Sequence, residues 1–226
     1  MVNDTVHDTL SNGQMKVEEL PYGIFHVKFL SQQLMSSTLL RFQEYFESIE
    51  FRGKVFTLKE FIAWYVSIKG KFDYYDEWDG FNIPSEILKP FFEGKFDPLS
   101  QEEARFLEIF RDKKEKFYII CTLDDGRIET VKHEFAHALF YTNSEYRRQA
   151  SEILKHYDVH DIAQYLLTKL LYHYVVLLDE VHAYILSEME YLEEQGLDIK
   201  KYEEANRELN EVFEKYFVVD HFRKGR

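Results

Sequence analysis

Apolar and polar residues alternate through Gly23, Ile24, Phe25, His26, Val27, Lys28 and Phe29, the two-residue period of a strand. The period then lengthens. Leu34, Leu39, Leu40, Phe42, Tyr45, Phe46 and Ile49 give residues 32–50 one apolar face, which predicts a helix ended by Arg52-Gly53. Thr57-Leu58-Lys59-Glu60 has capping-box spacing and opens a second helix to about Lys69, with Phe61, Trp64, Tyr65 and Ile68 inward. Residues 70–84 carry Gly70, Asp73, Asp76, Asp79, Gly80 and Pro84 among aromatics. They predict the longest loop, one able to overhang a cleft; calcium-loop spacing is absent.

A helical turn from Ser85 is expected to stop at Pro90, and Gly94 and Pro98 mark a weak boundary near 94–99. Ser100 and Glu103 form a second capping box for a helix to about Lys114. Phe117-Tyr118-Ile119-Ile120-Cys121-Thr122-Leu123 is the strongest strand, and Asp124-Asp125-Gly126 turns the chain. Thr130 is the expected cap of the next helix. Asn143-Ser144 starts another to about Lys155, Asp158 or Asp161 the next, and helices continue to about 216 with a break at Gly196. Few strands and many helices make the expected class α+β and predominantly helical. The expected organisation is one compact unit: a tail at 1–14, an N-terminal helical portion at 15–98, a second portion at 99–216 and a basic tail at 217–226.

Composition narrows the function. Of 226 residues, 45% are hydrophobic, which is globular, and the net charge of -13 argues against nucleic acid as the main partner. The single cysteine excludes an intramolecular disulfide. The polar start Met1-Val2-Asn3-Asp4-Thr5 shows no secretory pattern, and no apolar run reaches the ~18 residues of a membrane span. A soluble cytoplasmic protein is expected, with no membrane or nucleic-acid partner.

The chemistry is concentrated in Val131-Lys132-His133-Glu134-Phe135-Ala136-His137-Ala138-Leu139-Phe140. Residues four apart share a helix face, so His133 and His137 can offer both imidazoles to one Zn2+ ion. Glu134 lies about 100° round the helix, placed to act as general base on a zinc-activated water without ligating the metal. The bland alternative is a pair of core histidines satisfied by hydrogen bonds. The apolar surroundings require one or the other, because buried polar groups must be paired.

A catalytic zinc takes a third protein ligand and keeps one position open. The metzincin pattern needs Gly and His where this chain has Phe140 and Asn143, so it is excluded. Glu180, in Leu177-Leu178-Asp179-Glu180-Val181-His182-Ala183-Tyr184, is the better candidate: it shares a helix face with Ala183, Tyr184 and Ser187 in a Leu-rich setting. H-E-x-x-H followed some forty residues later by a helix-borne Glu in an E-x-x-A setting resembles the gluzincin zinc metallopeptidases. The resemblance spans residues 117–190. It implies His133, His137 and Glu180 as zinc ligands, Glu134 as general base, and a zincin-like catalytic half around a small sheet with the N-terminal helical portion packed against it. Many relatives carry an acid four residues after the ligand Glu to orient a ligand histidine; this chain has Tyr184 there.

Other third ligands stay open: His156 and His160, also four apart, and Cys121, which would suit a deformylase-like amidase. His182 would point away from Glu180's site, and His173 reads as a core histidine. Support for the ligands or for an oxyanion can come from Tyr184, Tyr141 or His182, with Tyr146, His160 and His173 also eligible by type. Three functions follow: a zinc peptidase with a peptide or protein as substrate, another zinc hydrolase with Cys121 at the metal, or a helical binding module whose histidines are structural. In a latent version of the first, Asp220 and His221 of the tail, or the 70–84 loop, cover the open position.

Overall fold

The computed structural model describes residues 14–124 and 127–217. The expected tails lie almost wholly outside them, as do Asp220 and His221. The architecture is the expected α+β, predominantly helical one, built around a single mixed sheet. Strands β1 (Met15–Leu20) and β2 (Ile24–Phe29) form an antiparallel hairpin. Helices α1 (Gln32–Glu47) and α2 (Leu58–Lys69) follow, then strand β3 (Gly80–Pro84), helices α3 (Lys89–Phe92) and α4 (Gln101–Ile109), and strand β4 (Tyr118–Leu123). The rest is helical: α5 (Ile128–Thr142), α6 (Ser144–Leu154), α7 (His160–Thr168), α8 (Leu177–Ser187), α9 (Met189–Glu194) and α10 (Glu203–Phe213). The strand order is β1-β2-β4-β3, with β4 parallel to β2 and antiparallel to β3. No helix among the described residues is long and apolar enough to cross a membrane.

The sheet separates two cores because successive strand residues point to opposite faces. Ile24, Tyr118 and Ile120 join a core with α5, α6, α7, α8 and α10. Phe25, Val27, Phe29, Ile119 and Cys121 face the other, aromatic core with α1, α2 and α4. Burying each of these large side chains contributes about 1.5–3 kcal/mol, so both faces hold the sheet firmly. The buried Arg41 guanidinium ties α1 to α4 through Glu103, at 2.6 Å from Nε, and also donates to the Phe96 and Pro98 carbonyls.

Local signals account for several helix starts. Both capping boxes form, at Thr57/Glu60 and Ser100/Glu103, and Asn143 accepts from two backbone amides of α6. Gly70 ends α2 at φ 82°, a left-handed conformation costly for residues with a Cβ. Five expectations are corrected. Residues 80–84 are a strand, buried by its neighbours, inside the stretch read as loop. Met15–Leu20 is a further strand that the alternation had not marked. Pro90 sits in the first turn of α3, where its missing N–H costs nothing, so the helical segment begun at Ser85 runs through it. Helix α5 starts at Ile128, leaving Thr130 inside its first turn, with Arg127 at the cap position. In α2, Phe61 and Tyr65 are buried but Ile68 is 50% exposed.

Candidate metal centre

Helix α5 crosses the sheet between β3 and β4 on one side and α8 on the other. Ala136, Ala138 and Ala183 are fully buried, and their small side chains let the two helices approach closely. This packing brings His133, His137 and Glu180 together: one ligand atom from each lies within 4.8 Å of the other two. His133 Nε2 and His137 Nε2 are 3.2 Å apart, and Glu180 Oε2 is 3.7 Å from His137 Nε2.

The outer nitrogens fix the tautomers. Ser187 donates its hydroxyl to the Ala183 carbonyl at 2.9 Å, so its oxygen accepts from His133 Nδ1 at 3.2 Å. Asp179 Oδ1 stands 3.0 Å from His137 Nδ1, a bent contact that still calls for a hydrogen on that nitrogen. Both Nε2 atoms are therefore left with lone pairs facing each other, an arrangement that needs a proton or a metal ion between them. Two tetrahedral Zn–N bonds would place their nitrogens roughly 3.3 Å apart. Glu180 Oε2 is buried without a hydrogen-bond partner, which leaves an oxygen able to face the same ion once its carboxyl gives up its proton. The donor set of two imidazoles and one carboxylate fits a divalent metal. A purely structural network would satisfy every buried polar atom; here His133 Nδ1 is paired with Ser187 while Glu180 Oε2 has no partner.

Electrostatics agree with that fit. Burial pushes the Glu180 carboxyl up to about 8 and the Glu134 carboxyl up to about 7. Burial and the neighbouring His137 push His133 well down. Burial also pulls on His137, but Asp179 and Glu180 outweigh it and hold that imidazole well above its ordinary range. Without a metal, the proton between the rings belongs to His137.

Glu134 sits beside the ligands on α5. It bonds to the side chain of Asn82 on β3, and its Oε2 is buried and unpartnered. Gly80 gives it room: a Cβ there would overlap Glu134 Oε1 and stand 2.9 Å from its Cδ and Cγ. Asn82 is itself held by Tyr118, whose hydroxyl donates at 2.5 Å. A cavity of about 320 Å³ opens over this edge, lined by both His133 and Glu134. His133 keeps 12% of its side chain exposed while His137 keeps 1%, so the open side of the group faces the cavity.

The remaining predicted residues fall as follows. Tyr184 packs edge-on against His133 with ring centroids 5.1 Å apart and lines the cavity, sharing a hydrogen bond with Tyr172. Tyr172 in turn hydrogen-bonds to Glu180. His182 points away from the ligand cluster, but it is linked to it: its Nδ1 lies 3.6 Å from Asp179 Oδ1, and its Nε2 lies 2.7 Å from the hydroxyl of Tyr146. Tyr141 is not brought to the cavity; its hydroxyl donates to Glu86 in a separate surface groove. His156, in the turn after α6, and His160, at the start of α7, are exposed, and His173 lies near the surface with Nδ1 accepting from Val175. Cys121 is in the opposite core, its thiol pushed well up by burial, and is not in the ligand group. The 70–84 segment forms one cavity wall through Tyr74, Trp78 and Gly80.

Two further acids, the half-buried Asp179 and the buried Glu47, belong to this neighbourhood without a signal in the sequence. Asp179 supplies the orienting carboxylate from the position just before Glu180, where only the position four after had been considered. Glu47, at the end of α1, lines the cavity; burial and Glu180 push its carboxyl well up. No protein-family model matches the chain, and neither a curated protein nor a solved structure is significantly similar to it.

Proposed function

We propose that the chain is a zinc-dependent hydrolase of peptide bonds, of gluzincin type. The observation that carries this reading is the convergence of two Nε2 lone pairs and one unpartnered carboxylate oxygen beside a buried Glu134 whose Oε2 is unpartnered. A bound zinc ion supplies a Lewis acid and an acidified water at the cavity edge. His133, His137 and Glu180 hold it, with Ser187 and Asp179 orienting the two rings. Glu134 accepts the proton of the attacking water and returns it to the leaving amine. Its raised pKa, about 7, suits a group that must both take and give a proton near neutrality. Tyr184 is the phenol at the ligands able to donate to a developing oxyanion.

Substrate placement is supported by β3. Strand β4 is interior, and its neighbour β3 is an edge strand of the sheet. Gly80, Phe81 and Asn82 of β3 line the cavity, and an extended peptide can pair along that edge.

The test is metal content of protein purified without added metal or chelator, in wild type and Glu180→Ala. One zinc per wild-type chain, lost or much weakened in the variant, followed by peptide hydrolysis that Glu134→Gln removes, is the expected result. A chain that takes up no metal on reconstitution overturns it.

A further inference from the structure

The cavity beside the metal group holds more carboxylates than hydrolysis needs. At its exposed rim they are balanced: Lys69 pairs with Glu77 at 3.3 Å and Arg127 with Asp79 at 3.0 Å. On the inner wall they are not. Glu44 and Glu47, one turn apart on α1, line the cavity and form no close ion pair with Lys or Arg among the described residues; Gln43 donates to Glu47, and Arg52 acts on it from farther away. Burial pushes the Glu44 carboxyl up to about 7, with Tyr74 and Ser48 pulling the other way. Glu134, 5% exposed, adds an unpartnered oxygen at the metal end. Aromatic residues fill the space between: Phe61, Trp64, Tyr74, Trp78 and Tyr172. Uncompensated carboxylates among aromatic rings are the elements of a site for a cation. At about 320 Å³ the cavity is at the small end of ligand pockets, so its occupant is one side chain or one chain terminus.

We propose that this cavity recognises a positively charged group of the substrate, an ammonium or guanidinium seated among Glu44, Glu47, Trp64 and Trp78. The word substrate rests on the hydrolase reading above; the binding itself does not. The charge can come from a Lys or Arg side chain or from a free peptide amino terminus.

The chain's two tryptophans both line the cavity, so intrinsic fluorescence reports its occupancy without turnover. Two matched pairs of probes separate the sources: N-acetyl-lysinamide against N-acetyl-norleucinamide, and leucinamide against N-acetyl-leucinamide. The expected result is a saturable change in which the cationic member of at least one pair binds ~10-fold or more tightly than its neutral partner, since one charge-assisted contact of ~1.5 kcal/mol corresponds to that ratio. The pair that responds identifies the source. Glu44→Gln abolishes the preference and Glu44→Asp keeps most of it, with thermal unfolding checked for both. Equal binding of charged and neutral probes, no saturable change, or a preference untouched in Glu44→Gln overturns the proposal. The titrations are run with and without metal. A chain that prefers cations yet never hydrolyses a peptide keeps this inference and loses the hydrolase reading; one that cleaves charged and neutral peptides alike, with no preference in binding, does the reverse.

Discussion

Asp179 and Glu180 are neighbours on α8, yet they serve opposite edges of one imidazole. Asp179 Oδ1 lies 3.0 Å from His137 Nδ1, and Glu180 Oε2 lies 3.7 Å from its Nε2. The first can fix the ring; the second completes a group that could hold a metal ion. Replacing them should separate these roles. Asp179→Asn is expected to keep the metal with affinity lowered by roughly 10–100-fold, the range for carboxylates that support a ligand histidine. Glu180→Ala is expected to lose it. Competition with a chelator measures both, and equal affinities in the two variants would sink the assignment.

Glu134→Gln keeps the shape and the Asn82 contact but removes the base. Metal content should stay at the wild-type level while hydrolysis falls by roughly 10²–10⁴-fold, the usual share of a general base. Loss of metal in this variant would make Glu134 a ligand.

Gly80→Ala tests the fit from the other side. The new Cβ would overlap the Glu134 carboxylate, whose flexible end can swing away. The expected outcome is a chain that melts within a few degrees of wild type and holds its metal, but hydrolyses slowly. Unchanged hydrolysis would show that Glu134 does not depend on its seat over β3.

The metal-free protein is expected to lose stability as the pH rises from 6.5 to about 8. Burial pushes Glu134 and Glu180 up to about 7 and about 8 from 4.5. In that window they retain protons in the folded chain that the unfolded chain has released, so raising the pH removes stability. His137 acts in the same direction, because Asp179 and Glu180 overcome the effect of burial and raise it well above 6.5. His133, lowered by burial, acts in the opposite direction, but only below 6.5. Melting with chelator at several pH values reads the slope, at roughly 2–4 °C for each kcal/mol. Zinc should flatten or invert it, since the ion replaces these protons. A chelated sample whose melting temperature rises across the window contradicts the assignment.

The sequence made His133, Glu134, His137 and Glu180 legible because each motif lies on one helix, where spacing translates directly into direction. The same logic missed Asp179. It lies about 100° from Glu180 on the helix, and only the wrap of α5 against α8 turns it onto the far edge of His137. Glu47 carried no signal at all: it reads as the polar end of an amphipathic helix until tertiary packing buries it. The helix caps were readable for the same local reason that the edge strands were not. Thr57 and Ser100 act on amides three residues on, whereas Gly80–Pro84 is a strand by virtue of β4, about forty residues away in sequence.

The alternating strands have a consequence for how this chain can be cut. Both central strands give every second side chain to each core, and β2 and β4, paired in parallel, come from opposite sides of the 94–99 boundary. A fragment ending there would expose one face of β2 and lack β4; its complement would carry the ligand helices with no β3 beneath Glu134. The molecule should therefore melt in one cooperative transition despite its two cores, and its two halves should show their chemistry only when expressed together.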